Sequence, residues 1–441
     1  MTQATEHYSD LHKSQLGNLP GHDVDWISQT RQASLSRFQR MGFPTPRDED
    51  WRYTVVRPIT GKSFALPAGS KEALDIASFD ISGLDTFRMV FVDGNFDSGL
   101  SSHPQVESGQ FETGLSVRSF AEVLKARPES VMAYLDKIKP EAENGFAALN
   151  SAFLMDGVVI ELDANCHPSK PIELLFISRE ATTMAQPRNL VIAGEGAKAQ
   201  IIERYVSDGD GQTFTNSITE VALDDSAQVD YYLVQAQNSA ACQIGGIWAR
   251  QATSSRFSCR TITLGGALVR NELKTSMEGD DAHCDMLGLY SLSGRQHVDN
   301  HTTMIHAAPN CTSKELYKGV LDQRSRGVFH GRIKVEKDAQ KTDAEQTNNT
   351  LVLSRDAEID TKPQLEIYAD DVKCSHGATV GQMDEVSLFY LRSRGIDEES
   401  ARSLLTFAFV NDVLSEVDIE PLREAMEGIL SKQLMTHQIG E

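Results

Sequence analysis

A cysteine and a histidine stand two residues apart near the C-terminal end of the chain, in the stretch ADDVKCSHGATVGQ at residues 369–382. If that stretch is a β-strand, Cys374 and His376 lie on the same face of it, because side chains alternate with a period of two. A thiolate and an imidazole are typical ligands of iron and other transition metals. Cysteine is also among the most frequently buried residue types, so core packing is the competing interpretation.

The stretch GRQHVDNHTTMIHAAPNC contains a second group of metal-binding residue types, namely His297, His301, His306 and Cys311. On a strand, His297 and His301 would share a face, which would allow a zinc site. Histidines that are packed and hydrogen-bonded explain the same pattern. We therefore favour packed histidines over zinc for this stretch.

The tetrapeptide TGKS at residues 60–63 has the ending of a phosphate-binding loop. The first glycine of such a loop would fall at position 56, which is Val56. Without that glycine the backbone cannot wrap around a phosphate group, so we reject a nucleotide site here.

The composition limits the classes of partner. The chain has 441 residues and a formal net charge of −21, which would repel nucleic acid and anionic lipid and leaves protein as the expected partner. It has neither an apolar run of membrane-spanning length nor the basic and apolar regions of a secretory signal, so we expect a soluble, cytoplasmic protein. The six cysteines are scattered without a CxxC pair and are expected to be thiols.

The pattern of residues divides the chain into three parts. Residues 1–156 are predicted to form a helical and mixed domain, and residues 157–382 consist of short β-branched and aromatic runs separated by polar turns. Residues 383–441 return to helical spacing, with the apolar positions of the last helix at Leu422, Met426, Ile429 and Leu430. Another apolar stripe of this tail contains Ala401, Leu404, Leu405, Ala408 and Phe409, so the tail must pack on the end of the β domain or on a partner.

A weak repeat within the β region predicts its architecture. Small residues that open a strand recur at intervals of 30, 28, 27, 29 and 28 residues, at Ala197, Ala227, Ser255, Ala282, Cys311 and Ala339. A steady period of this length is typical of a solenoid, in which each coil buries its apolar face against the next. We therefore predict a parallel β-helix, with a large antiparallel sandwich as the alternative.

Three stretches resemble the SufB/SufD family of the Suf iron–sulfur cluster assembly machinery. They are GFPTPRDEDWRYT at residues 42–54, the region from HGRIKVEKDAQ to SHGATVGQ at residues 330–382, and FYLRSRGI at residues 389–396. The SufB branch typically carries an N-terminal cysteine-rich motif, whereas this chain has no cysteine before Cys166. The sequence SHGATVG after Cys374 also resembles the SufD branch more than the SufB branch.

The resemblance implies a mainly β protein with a right-handed parallel β-helix between N- and C-terminal helical segments. It implies pairing with SufB through the β-helix domains and docking of the ATPase SufC on the C-terminal helices. ATP hydrolysis would then belong to SufC, and this chain would be a scaffold subunit rather than an enzyme. For the docking helices we predict as contact residues Leu388, Leu391, Leu404, Leu405 and Phe409.

The resemblance also implies that His376 lies near the SufB interface and takes part in building the nascent cluster, with Cys374 as a weaker candidate. We expect no tightly bound cofactor in the chain alone, and iron or a transient iron–sulfur cluster only in the complex. Two other functions remain as alternatives, a purely structural stabiliser of SufB and a β-helix carbohydrate-active enzyme. Pairing with SufB and a homodimer in its absence both remain open.

Overall fold

The structure is a computed structural model that describes residues 2–69, 74–101, 110–138 and 144–436. Its helices are α1 (Gln3–Gln15), α2 (Asp25–Met41), α3 (Arg57–Thr60), α4 (Phe120–Ala126), α5 (Gly145–Phe153), α6 (Glu385–Ser393), α7 (Glu398–Leu414) and α8 (Glu420–Thr436). Among the described residues, none of these helices combines the length and the apolar character needed to cross a lipid bilayer.

Most of the remaining described chain is β-strand. In chain order the strands are β1 (Phe87–Val92), β2 (Asn95–Phe96), β3 (Gln110–Glu112), β4 (Leu115–Ser119), β5 (Val158–Leu162), β6 (Ile172–Ser178), β7 (Met184–Ala185), β8 (Arg188–Ala193), β9 (Lys198–Ser207), β10 (Phe214–Leu223), β11 (Gln228–Ala236), β12 (Cys242–Gln251), β13 (Arg256–Thr263), β14 (Leu268–Met277), β15 (His283–Leu292), β16 (His297–His306), β17 (Thr312–Leu321), β18 (Arg326–Val335), β19 (Asp343–Val352), β20 (Glu358–Ile367) and β21 (Lys373–Gly381).

These strands form two sheets that run side by side along the molecule. The ten-stranded sheet has the order β2-β1-β6-β9-β11-β13-β15-β17-β19-β21. The eleven-stranded sheet has the order β20-β18-β16-β14-β12-β10-β8-β5-β4-β3, and its eleventh strand, β7, pairs with β10. From β9 onward the chain alternates between the sheets, and each strand pairs in parallel with the strand one coil away. The prediction of a parallel β-helix is confirmed, and the antiparallel sandwich is wrong.

The sequence period corresponds to one corner of each coil. All six small residues that defined the period are fully buried. The residue before each of the first five has a left-handed backbone conformation, with positive φ at Gly196, Ser226, Ser254, Asp281 and Asn310. Such a corner favours glycine and short polar residues, and the small buried residue after it allows the next strand to begin close to the preceding coil.

The N-terminal region supplies the first layer of the solenoid. β1 and β2 form a hairpin whose turn residues, Asp93 and Gly94, both have positive φ, and β1 then pairs in parallel with β6. Helix α2 ends at Met41 and is capped by Gly42, whose N–H donates to the Phe38 carbonyl. Helices α1, α2 and α5 bury their aromatic residues against the eleven-stranded sheet.

The C-terminal helices cover the outer face of the ten-stranded sheet, so the expected packing on the end of the solenoid is wrong. The predicted apolar face of α8 is confirmed, because Leu422, Met426 and Leu430 are buried and Ile429 packs beside them. The predicted stripe of α7 is buried at Ala401 and half-buried at Leu405 and Phe409, and the helix also buries Thr406, Val410, Val413 and Leu414. Lys318 of β17 fixes α7 further by donating to the carboxylate of Asp412 and to the Phe409 carbonyl.

Candidate functional site

Cys374 and His376 lie on β21, the last strand of the ten-stranded sheet. In the register with β19, Cys374 is opposite Ala344 and His376 is opposite Gln346. Ala344 and Gln346 are buried inside the solenoid, so both candidates occupy positions on the inward face. The prediction that the two side chains share a face is confirmed.

The column of residues below Cys374 is mostly apolar. It descends coil by coil through Ala344, Ser313, Cys284, Phe257, Val229 and Ala199, all of which are buried. Cys374 is half-buried and packs against this core. Burial, with a smaller contribution from Asp343, raises the pKa of its thiol, so the protonated form dominates at neutral pH. These observations favour packing as the role of Cys374 in the isolated chain.

The column below His376 is polar in its upper coils. Gln346 donates from Nε2 to Oε2 of Glu315 at 2.7 Å, and both side chains are buried. Burial raises the pKa of Glu315 to about 7, although the hydrogen bonds from Thr302 and Gln346 oppose the shift. The imidazole of His376 is exposed above this pair. It therefore stands at the mouth of the solenoid interior.

The last coil has no covering layer among the described residues. β20 and β21 contain no buried residue, and they end their respective sheets. Such edge strands present unpaired backbone N–H and C=O groups, which are a template for another strand. Large apolar side chains accompany them, with Ile367, Tyr368 and Val380 all exposed. This surface, formed by β20, β21 and Tyr368, is called the open end below.

The structure separates the predicted docking residues of the tail. Leu388 is only 4% exposed, Leu404 is 52% exposed, and Leu391, Leu405 and Phe409 are half-buried. The most exposed apolar residues of α6 were missed by the sequence reasoning, and they are Val386 at 76%, Phe389 at 74% and Tyr390 at 57%. The sequence contained a signal for this exposure, namely the adjacent aromatic residues of FYLRSRG. A helix that packs against the protein on one side leaves the residues of its other side exposed.

The histidine-rich stretch does not form one cluster. His297 Nε2 is 2.9 Å from Thr54 Oγ1, and His306 Nε2 is 2.9 Å from Ser313 Oγ. Burial lowers the pKa of His306 to about 4, and Cys311 is also buried. The favoured interpretation as packed histidines is therefore confirmed for His297 and His306.

His301 behaves differently, because it lies beside His330 of the next coil. The two residues are register partners on β16 and β18, and their ring centroids are 4.7 Å apart. Asp50 completes a group of three residues whose ligand atoms all lie within 4.8 Å of one another. Burial, reinforced by the neighbouring His301 and Lys362, lowers the pKa of His330 to about 4 and keeps its ring neutral at neutral pH. The sequence reasoning missed His330 and Asp50.

Two family models together match most of the chain. The SufBD protein N-terminal region matches residues 2–174, and the SufBD core domain of the SUF system for FeS cluster assembly matches residues 176–409. The chain therefore belongs to the SufBD family of iron–sulfur cluster assembly proteins.

Individual relatives agree over nearly the full length. A SufBD family iron–sulfur cluster assembly protein of Synechocystis is 31% identical over 424 residues, which cover 93% of this chain and 92% of the relative. The iron–sulfur cluster assembly protein SufD of Escherichia coli is 29% identical, with 92% of this chain and 93% of that protein covered. SufD of Bacillus subtilis is 26% identical, with 93% and 94% covered.

Proposed function

We propose that this chain is a SufD-type scaffold subunit that pairs with SufB through the open end, docks SufC on its C-terminal helices and contributes His376 to the nascent cluster. The observation that carries the proposal is the position of His376 on an uncovered edge strand at the mouth of the solenoid. ATP hydrolysis is assigned to SufC. No cofactor is expected to remain tightly bound to the chain alone.

Pairing through the open end is supported by its free backbone groups and its apolar side chains. A second β-helix can add its own terminal strand there, so that main-chain hydrogen bonds provide affinity and side chains provide specificity. Replacing Val380 with Lys places a charge among these contacts and should prevent copurification with SufB. Retained pairing in Val380→Lys and in Tyr368→Asp would contradict this interface. In the isolated chain, the same substitutions test a homodimer that uses the open end.

SufC docking is supported by the exposed apolar residues of α6 and α7. We define the tail patch as the four exposed residues Val386, Phe389, Tyr390 and Leu404. Different residues of α7 and α8 pack these helices onto the solenoid. Phe389→Asp and Leu404→Glu should abolish SufC capture and leave SufB pairing intact. Val380→Lys is the matched control, because it should show the reverse. A chain truncated after Gln382 that is folded and still captures SufC would also contradict the proposal.

An assembly role for His376 is supported by its side-chain chemistry and its exposure. A neutral imidazole binds iron without losing a proton, but one imidazole is insufficient because clusters generally have about four protein ligands, largely thiolates. SufB must then provide the other ligands across the interface. His376→Ala should preserve the complex and sharply reduce its iron and sulfide content, His376→Cys should restore part of it, and Cys374→Ala should have a smaller effect.

The second candidate function is that of a structural stabiliser of SufB, which uses the same open end but needs no role for His376. Normal iron and sulfide content in the His376→Ala complex would favour this stabiliser function and remove the assembly role of His376.

A further inference from the structure

A small cavity lies where the 3₁₀ turn Glu49–Trp51 rests on the outer face of the eleven-stranded sheet. Its volume is about 90 Å³, and Asp50, His301 and His330 are among the residues that line it. His301 and His330 lie on the outward face of β16 and β18, whereas His376 lies on the inward face of the other sheet. The cavity is therefore separate from the open end.

The three residues come from positions that the fold fixes. His301 and His330 are held side by side by the parallel register of β16 and β18. The backbone of Asp50 is anchored to the sheet because Arg270 Nη1 donates to the Asp50 carbonyl at 2.9 Å. The Asp50 carboxylate Oδ1 lies 3.9 Å from His330 Nδ1, and its side chain is 70% exposed. It is therefore free to adjust its rotamer without disturbing the core.

Each imidazole has an oxygen beside one of its two nitrogens. His301 Nε2 is 3.0 Å from Asp299 Oδ1, and His330 Nε2 is 3.5 Å from Gln364 Oε1. Asp299 is itself fixed by its ion pair with Arg270 and by the Thr54 hydroxyl. Histidines that bind metals usually donate their second ring N–H to a carboxylate or carbonyl oxygen, which sets the tautomer and leaves the other nitrogen as the ligand. In both rings that remaining nitrogen is Nδ1.

One carboxylate at the cavity is available to a cation. Of the four carboxylate residues that line it, Glu49 pairs with Lys362, Asp299 with Arg270 and Asp360 with Arg326. The fourth, Asp50, lies 3.9 Å from His330 and can meet a divalent cation without breaking any of these pairs.

We propose that Asp50, His301 and His330 bind one divalent transition-metal ion through the Asp50 carboxylate and Nδ1 of each ring. Two imidazoles and one carboxylate suit Zn²⁺ and Fe²⁺ and leave at least one coordination position open. Metal–ligand distances of about 2.0 to 2.2 Å require the three ligand atoms to approach one another by roughly 1 Å. Rotation of the exposed Asp50 side chain supplies much of that movement.

The test uses the untagged full-length chain without partners. Zn²⁺ titration by calorimetry should show a site of one ion per chain, and Co²⁺ should give the visible absorption of a nitrogen- and oxygen-ligated ion. Asp50→Asn and His330→Gln should each weaken binding at least about 10-fold, as loss of even an outer-shell partner does. They should also abolish the Zn²⁺-dependent rise in melting temperature.

Two matched variants separate this site from other histidines. His297→Gln removes a histidine of the same strand, and His376→Ala removes the histidine of the open end, so both should retain the binding of the wild type. Asp50→Asn keeps the test valid if the histidine variants unfold, because the Asp50 side chain is largely exposed. Absence of Zn²⁺ binding in the wild type, or binding that survives Asp50→Asn and His330→Gln but not His376→Ala, would overturn the proposal.

Discussion

The two ends of the solenoid have opposite surroundings. Every residue of β6, near the first end, is buried, whereas no residue of β20 or β21 at the other end is. The first end is covered by β1, which pairs with β6, and by β4, which pairs with β5, and stacked rings of Phe91, Phe176 and Tyr205 join β1, β6 and β9. The comparison indicates that the first end contributes stability, while the last end is left available for binding.

Side-chain chemistry follows the same division. β6 reads IELLFIS, and β21 reads KCSHGATVG. A coil inside the stack can bury large apolar side chains against two neighbours, but the last coil has only one. Equivalent substitutions at the two ends should therefore have unequal effects on the free energy of unfolding.

The largest expected effect is at a buried ion pair near the first end. Arg188 of β8 is fully buried and donates to Asp136 and to the buried carboxylate of Glu220. Arg188→Ala should lower the free energy of unfolding by about 3 to 5 kcal/mol, because it removes one partner of a buried ion pair. The exposed pair of Arg324 and Asp356 is the matched control, and Arg324→Ala should cost under about 1 kcal/mol. Equal losses in urea denaturation would contradict the contrast.

The second effect depends on pH. Because burial raises the pKa of Glu315 from 4.5 to about 7 in the folded chain, the native state binds its proton more tightly than the unfolded state does. This stabilisation is complete below pH 4.5 and is lost as the pH rises to 7, which amounts to about 3 kcal/mol. Glu315→Gln cannot ionise and still accepts from Gln346, so its advantage over the wild type should grow between pH 5 and pH 8. If the free energies of unfolding of the wild type and Glu315→Gln change in parallel with pH, the raised pKa of Glu315 is disproved.

A third, smaller effect compares two glycines. A Cβ added to Gly319 in β17 would lie 2.3 Å from Cζ of the buried Tyr290, whereas one added to Gly377 in β21 meets nothing within 4 Å. Gly319→Ala should therefore cost about 1 to 3 kcal/mol through overpacking. Gly377→Ala should change the stability by under about 0.5 kcal/mol. Thermal melts of the two variants measure the difference, and similar melting temperatures would show that the interior at Gly319 adapts.

The smallest effect concerns the opening pair of residues. Cys374→Ala removes a half-buried sulfur and should cost under about 1 kcal/mol. His376→Ala removes an exposed ring and should leave the melting temperature of the isolated chain unchanged. A large loss of stability in His376→Ala would mean that this histidine supports the fold, and any change in cluster content would then need a structural explanation.

Much of the fold follows from local chemistry that the sequence displays. The period was visible because each coil needs a tight corner, and Ala227 or Ala282 fits there where a larger side chain would not. The shared face of Cys374 and His376 followed from the alternation of side chains along a strand. The stripe predicted on α7 covers only part of its buried face, because this helix has apolar residues on both sides. Spacing alone does not tell which side, that of Val410 or that of Leu404, meets the sheet.

The group formed by Asp50, His301 and His330 shows what the sequence reasoning left out. His301 and His330 are 29 residues apart, which is one coil, so the period already placed them beside each other. Combining the period with residue type would have found this pair. Asp50 was not predictable in that way, because it reaches the sheet from an N-terminal turn whose position depends on Arg270 and Asp299 in three-dimensional space.

The single-sided support of β21 also has a consequence for amide hydrogen exchange. Within the described part of the chain its backbone pairs with β19 alone, so opening this strand breaks one ladder of hydrogen bonds instead of two. The amides around His376 should therefore exchange through local opening, far faster than those of β11, which has a neighbour on each side. A strand added to β21 would slow this exchange. The exchange rate of the amides around His376 would then report directly on whether a strand occupies the open end.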